Sequence, residues 1–285
     1  MIISLLGILK PKIVFGNIIS CLGGFLLASK GNVNYNLLFW SLISVSLVVG
    51  SSCILNNVID RNIDKNMNRT KKRILVINPC FYRFSIFSSI FLAMLGLFLF
   101  GWFINILCVF LSCLGVIVYS FFYSFLLKTK SIYSTIIGSI SGAIPSLLGY
   151  CSVTNYIDLC TVNLFIIMFF WQIPHSYAIF VMNLDDYKKA KIPVYPVIKP
   201  IWVTKRCVSI FIFLFLISIF CLTAIGYAGY KFFLILSLLS IIWFFLSIKE
   251  YHNDKKNIFW SKNIFYLSIV IMIVLNIMIS IDFVN

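Results

Sequence analysis

Apolar runs of about helix-spanning length alternate with short polar segments along almost the whole chain. A helix that crosses a bilayer needs about 20 apolar residues. Nine runs meet that need, at 12–29, 37–57, 84–103, 105–127, 132–152, 161–182, 207–226, 230–248 and 264–283. The joints near Trp102–Asn105 and Gly226–Lys231 leave room only for tight turns. The pattern predicts an all-α polytopic membrane protein, one domain over 1–285, with long polar loops at about 58–83 and 183–206.

Charge sorts with the pattern. If the N-terminus lies inside and the spans alternate, all 23 basic residues except Lys30 and Lys231 fall in inside segments. That is the positive-inside bias of a membrane protein. It predicts a cytoplasmic N-terminus and a periplasmic C-terminus. The net charge of +15 comes from these loop residues, so it does not indicate nucleic acid as a partner. With 61% hydrophobic and 11% charged residues, the chain is too apolar for a soluble globule. The abundance of Ile, Lys, Asn, Phe and Tyr fits an AT-rich bacterial genome.

Nine cysteines occur without CxxC or Cys/His spacing, and most lie inside apolar runs. They read as small packing side chains, not as disulfides or a zinc site. The N-terminus lacks a charged region before its first apolar residues, so no removable targeting segment is expected.

Acid is scarce, and its placement is informative. Four of the eight acidic residues, Asp60, Asp64, Asp185 and Asp186, lie in the two long inside loops. Asn56, Asp60 and Asp64 are spaced four apart. On a continued helix they drift only about 40° per step and share one face. Stacked oxygen donors suit a hard cation such as Mg²⁺. The basic residues that follow suit an anion, and the pair of sites suits a diphosphate. The alternative is a solvated helix end on which the acids pair with Arg61, Lys65 or Lys72. The two acidic loops are four spans apart, which suggests a weak internal repeat with facing helix ends.

A second constellation runs from Trp171 to Pro196: Trp-Gln-Ile-Pro-His at 171–175, Asp185-Asp186-Tyr187, and Ile-Pro-Val-Tyr-Pro-Val at 192–197. Pro174 should kink its helix. His175 reads either as a hydrogen-bonded packing residue or as a cavity-facing group beside Gln172. His252 reads as solvated surface. A third constellation joins Lys128 and Lys130 to Gly138 and Gly142, a GxxxG pair that permits close helix packing.

These residues resemble the UbiA superfamily of intramembrane prenyltransferases, and within it the branch that farnesylates haem. The resemblance covers nearly the whole chain. It is carried by Lys10-Pro11, the Asn56/Asp60/Asp64 motif, Arg69-Thr70, Tyr-x-x-x-Leu-Lys at 123–128, Gly-Ala-x-Pro at 142–145, Trp-Gln-x-Pro-His-Ser-Tyr at 171–177, Asp186-Tyr187, Ile-Pro-Val-x-Pro-Val at 192–197 and the closing Ser-Ile-Asp-Phe-Val. The aspartate motif marks the superfamily, and the Trp-Gln-x-Pro-His segment is much more specific to the haem branch. Departures include Asn57, Ile74, Ser146 and Thr129. The last stands where Arg commonly follows Lys128, with Lys130 as its substitute. The second acidic motif is shorter than usual, so only Asp186 carries over.

The resemblance implies a nine-helix bundle around a central cavity, in a bacterial inner membrane. It implies transfer of farnesyl from farnesyl diphosphate to the 2-vinyl group of haem b, with addition of water and release of diphosphate. Mg²⁺ is the implied cofactor, held by Asn56, Asp60, Asp64 and Asp186. Arg69, Arg73, Lys128 and Lys130 are the implied diphosphate contacts, and Trp171, Gln172 and His175 the implied haem contacts. A terminal oxidase assembly protein is a possible partner. The competing readings are a prenyltransferase acting on a quinone precursor, a transporter, and a non-catalytic assembly protein. A transporter would place its polar groups at the bilayer midplane, whereas these acids sit at span ends.

Overall fold

The computed structural model describes residues 7–249 and 254–284. The first six residues and His252 lie outside them. Nine described helices are long and apolar enough to cross a membrane. They are α1 (Pro11–Ser29), α2 (Tyr35–Ile59), α3 (Phe81–Phe103), α4 (Ile106–Leu127), α5 (Ser134–Thr154), α6 (Leu159–Met182), α7 (Ile201–Ala224), α8 (Tyr230–Ser247) and α9 (Asp254–Ile281). Each packs on its sequence neighbour, and α9 closes on α1 to complete a ring. Two further pairings, α1 with α5 and α6 with α9, draw the ring together. The chain is thus a multi-pass membrane protein.

Local chemistry sets the helix ends. The Asn34 side chain accepts from Leu37 N–H at 3.1 Å and starts α2. Asn105 does the same for α4 through Cys108 N–H at 2.8 Å. Asp158 and Thr161 form a reciprocal capping box at the start of α6. Lys30 (φ 42°) and Asn155 (φ 59°) take left-handed conformations where α1 and α5 stop.

Two spans begin earlier than the hydropathy pattern predicts. Helix α7 starts at Ile201, not 207, because Pro200 provides a start signal ahead of Lys205 and Arg206. Helix α9 starts at Asp254, not 264. Its Trp260 Nε1 donates to Leu246 O at 3.1 Å and Ser247 O at 3.3 Å, satisfying carbonyls at the end of α8. In both cases the helix outruns the apolar segment into the polar boundary.

Large apolar side chains cover the outside, among them Phe15, Phe91, Trp102 and Phe213. Inside, serines bury their hydroxyls by bonding back to their own helix, as Ser41 does to Leu37 O at 2.8 Å. The nearest backbone approach lies between α1 and α5. A Cβ on Gly149 would fall 1.9 Å from Cys21 O, and one on Gly24 would fall 2.1 Å from Ser146 O. The Gly138/Gly142 pair instead faces side chains: Gly138 meets the Tyr123 ring and Gly142 meets Gln172.

The two membrane faces are distinct. The start of α1 and the ends of α2, α4 and α6 share one face, linked through Lys10–Asn56, Asn56–Ser124, Lys128–Asp60 and Asp186–Asn68. On the other face, Asp158 accepts from Tyr150 OH at 2.7 Å and Tyr227 OH at 3.3 Å. Burial alone would raise the Asp158 pKa, but Thr161 N–H and the Tyr150, Thr161 and Tyr227 hydroxyls outweigh it and hold the carboxyl below its usual range.

Replacing Gly149 with Ala is expected to destabilise the bundle by about 1–3 kcal/mol, because backbone must move. Gly16→Ala meets nothing within 4 Å inside α1 and should keep or slightly raise stability. Thermal unfolding in detergent compares the two. Asp158→Asn should lower stability at neutral pH. A carboxyl with a depressed folded pKa stabilises above its unfolded pKa, and that contribution is lost as pH falls through the folded value. The gap between wild type and variant should therefore narrow on acidification. A gap independent of pH would refute the assignment.

Candidate active site

Four span ends build the site from one membrane face. The α2 pattern of backbone bonds runs on past its end, with Asp60 N–H to Asn56 O at 2.9 Å and Asp64 N–H to Asp60 O at 2.8 Å. Asn56, Asp60 and Asp64 therefore stay on one face as their spacing predicts. All three are buried, at 3%, 2% and 3% exposed. A buried carboxylate needs a cation or donors, and here the partners come from elsewhere in the chain. Asp60 pairs with Lys128 at the end of α4. Asp64 pairs with Arg73 at 2.7 Å. Neither acid pairs with Arg61, Lys65 or Lys72, so the solvated helix-end reading is not what forms.

Asn56 links two more elements. Its Oδ1 accepts from Lys10 Nζ, and its Nδ2 donates to Ser124 Oγ at 3.0 Å. Lys10 has φ 51° and ψ 64°, a left-handed conformation immediately before Pro11. That conformation is costly for a non-glycine residue, and here it accompanies an ammonium directed inward. Burial, and then the charge of Arg73, push the Lys10 pKa down to about 8. The last part of α4, Ile117–Leu127, winds in wider π-helical turns. Ser124 Oγ bonds back to Tyr119 O at 2.9 Å, and Lys128 N–H reaches Tyr123 O at 2.9 Å. Segments of this kind are rare overall and frequent at functional sites. This one places Ser124 and Lys128 on the same acidic face.

The second acidic loop meets the first. Asp186 Oδ1 accepts from Asn68 N–H and Oδ2 from Arg69 N–H, both at 3.1 Å. The ends of α2 and α6 therefore converge. In this structure Asp186 clasps the backbone of the first loop, while Asp185 is exposed. The Arg69 side chain is exposed at the loop surface, and Lys130 is exposed without a described side-chain bond to the site. Burial raises the pKa of neighbouring Tyr187. A cavity of about 470 Å³ adjoins the cluster, lined in part by Asn57, Asp64, Lys72, Arg73 and Leu75.

Trp171, Gln172 and His175 lie deeper along α6. Trp171 Nε1 donates to Ser268 O at 2.8 Å, and His175 Nδ1 meets Ser268 Oγ at 2.8 Å. The His175 ring stacks on Trp171 with centroids 4.8 Å apart and tilts against Phe265 at 4.9 Å. Gln172 packs where a Gly142 side chain would be. One turn away on α5, Gly138 receives the Tyr123 ring, over which Lys128 Nζ lies at 5.9 Å. A chain of contacts thus joins the Trp171–His175 turn to the acidic cluster.

Sequence reasoning missed Lys10, Ser124 and Ser268. Lys10-Pro11 carries part of the family resemblance, but Lys10 itself counts there only as a positive-inside charge with no role at the site. Ser124 lies in an apolar run whose π-helical register the pattern does not reveal. Ser268 is one serine among many in apolar helices.

Among the described residues, no three His, Cys, Asp or Glu side chains converge as a ready-made metal cluster. Asp60 Oδ1, however, is buried without a hydrogen-bond partner. An unsatisfied carboxylate oxygen beside Asn56 and Asp64 suits a hard cation that takes one or two protein carboxylates and completes its shell with phosphate oxygens and water.

Comparison with known proteins shows what the whole chain is similar to. The chain is 46% identical over 283 residues to the protoheme IX farnesyltransferase of Buchnera aphidicola subsp. Baizongia pistaciae, covering 99% of this chain and 98% of that protein. It is 44% identical to the protein of the same name from Blochmanniella floridana, with 96% and 95% covered. The identity is 42% to that from Yersinia pseudotuberculosis, with 99% and 96% covered. Among solved structures, one of a digeranylgeranylglyceryl phosphate synthase superposes with a TM-score of 0.79 at 17% identity, covering 99% of this chain and 98% of that one. A UbiA homolog from Archaeoglobus fulgidus bound to GPP and Mg²⁺ gives 0.68 at 15% identity, covering 94% and 99%. At such identities the likeness is one of fold. The model of the UbiA prenyltransferase family matches residues 17–270, and the chain belongs to that family.

Proposed function

We infer that this chain transfers the farnesyl group of farnesyl diphosphate to the 2-vinyl group of haem b, with addition of one water to the vinyl carbon left cationic, giving haem O and diphosphate. The observation that carries the reading is similarity over nearly the whole chain to proteins named protoheme IX farnesyltransferase. The Trp-Gln-Ile-Pro-His segment at 171–175 supports the haem branch over a quinone-precursor prenyltransferase.

The chemistry needs two things of the protein. Cleavage of the allylic C–O bond puts charge on the leaving diphosphate, and the carbocation that remains must be kept from stray water. Asn56, Asp60 and Asp64 would hold Mg²⁺ at the acidic face, with Asp186 as the fourth donor on the clasping loop. When bound, Mg²⁺ supplies positive charge to the departing diphosphate. Arg73 and Lys128 already lie against the acids and would bind the diphosphate oxygens as they arrive. Lys10 joins them from α1. Arg69 and Lys130 are carried at the rim, where they would draw the anion in. Tyr123, in the Lys128 contact, offers an aromatic face to positive charge. Trp171, Gln172 and His175 would hold the haem, and both apolar substrates would enter from the lipid.

The basic face is assigned to the cytoplasm of a bacterial inner membrane, with the C-terminus on the periplasmic side. Terminal oxidase assembly proteins are the partners this reading proposes.

Expression in a host that makes haem b but no haem O is expected to yield the hydroxyethylfarnesyl haem, identified by mass in the extracted haems. Recovery of haem b alone from a host making the folded protein would overturn the reading. Asp60→Asn should lower turnover by about 100-fold or more, since it weakens the hold on the Mg²⁺ that would offset the charge of the departing diphosphate. Membrane insertion should be unchanged. An Asp60→Asn protein with wild-type turnover would remove the metal assignment.

A further inference from the structure

The proton inventory of one buried serine fixes how His175 meets its ligand. Ser268 is fully buried on α9, and two residues of one α6 turn converge on it. Trp171 Nε1 donates to its carbonyl, and His175 Nδ1 lies 2.8 Å from its hydroxyl. The same hydroxyl lies 2.6 Å from Phe265 O. A carbonyl oxygen only accepts, so the single hydroxyl proton of Ser268 points at Phe265. If His175 Nδ1 also needed that proton, two lone pairs would face each other at 2.6 Å or at 2.8 Å. Ser268 Oγ is therefore the acceptor toward His175, and Nδ1 carries the hydrogen. In a neutral imidazole the other nitrogen then holds a lone pair.

That nitrogen, Nε2, has no partner among the described residues, and it is not among the buried unsatisfied atoms. It is open to a ligand. The ring is held by its neighbours, stacked on Trp171 and tilted against Phe265. We propose that Ser268 is a positioning residue: it holds His175 as the Nδ1–H tautomer, so that Nε2 meets the haem as an axial ligand to its iron and not as a hydrogen-bond donor to a propionate. This rests on the reading of haem b as the acceptor substrate. A histidine that ligates a metal is commonly oriented in this way, by a hydrogen bond from its second nitrogen.

The test titrates haem b into the purified full-length protein and reads binding together with the iron–histidine stretching band of the ferrous complex. Wild type should show the band, and His175→Ala should lose it. Ser268→Ala should bind haem about 10-fold or more weakly and shift the band. Ser268→Thr, which restores a hydroxyl, should recover both. Affinity for farnesyl diphosphate, unchanged across the set, reports intact folding. Wild-type haem affinity and an unshifted band in Ser268→Ala would overturn the proposal. So would a band that survives His175→Ala, or a wild type that farnesylates haem without any such band. A wild type that neither binds nor farnesylates haem would instead overturn the functional reading beneath it.

Discussion

Two carboxylates buried at the edge of a bilayer constrain the rest of this structure. Asp60 and Asp64 are each almost wholly removed from solvent. Leaving a buried charge without its partner costs about 3–5 kcal/mol, so each acid requires a cation held in place. The chain meets that requirement with side chains from distant elements: Lys128 from the end of α4 and Arg73 from the first loop. Lys10 on Asn56 adds the start of α1. Charge neutralisation therefore doubles as architecture, because it ties span ends together that hydrophobic packing alone would leave free to slide. It also leaves the site reactive. On the proposed function, the same ammonium and guanidinium groups that neutralise the acids would turn to the incoming diphosphate once a cation replaces them.

The helices deliver these groups by unequal means. Helix α1 must approach α5 until backbone meets backbone, and Gly24 and Gly149 make that possible. The π-helical turns of α4 shift its register so that Ser124 reaches Asn56 and Lys128 reaches Asp60. Asp186 spends both carboxylate oxygens on backbone N–H groups of the opposite loop. A carboxylate used in this way sets the position of Arg69 and the approach of Arg73, whatever else it does when ligands bind.

Much of this was legible in the sequence. Span number and alternation follow from length and charge, because the bilayer imposes both on any chain that crosses it. Convergence of the ends of α2 and α6 was legible as well, since Asp60, Asp64, Asp185 and Asp186 concentrate scarce acid in two loops. The starts of α7 and α9 were not. There the helix is extended by Pro200 and by the Trp260 bond to α8, and neither leaves a hydropathy trace. The glycine pair was legible only in part, for a related reason. A GxxxG spacing shows that a close approach is permitted at Gly138 and Gly142, but whether backbone or a side chain fills the space depends on which helix lies opposite. Lys10 and Ser268 were hidden because their roles depend on a backbone conformation and on a proton count, neither of which is a pattern.

Helix α5 sets the relation between the two halves of the site. Gly142 receives Gln172 from the Trp171–His175 turn, and Gly138 receives Tyr123 from the segment that carries Lys128. The two glycines are one turn apart on a helix already locked against α1 by backbone contact. On the proposed function, the diphosphate end of one substrate is held by α1, α2 and α4, and the haem by α6 and α9. The reacting carbons belong to different substrates held by different helices, so their separation is fixed by whatever stands between those helices. A side chain longer than hydrogen at Gly138 or Gly142 would press on Tyr123 or Gln172 without touching an acid or the histidine. On that reading, the contact chain through α5 would set the spacing of the two substrates, with the glycines at these positions letting Tyr123 and Gln172 of the neighbouring spans pack closely.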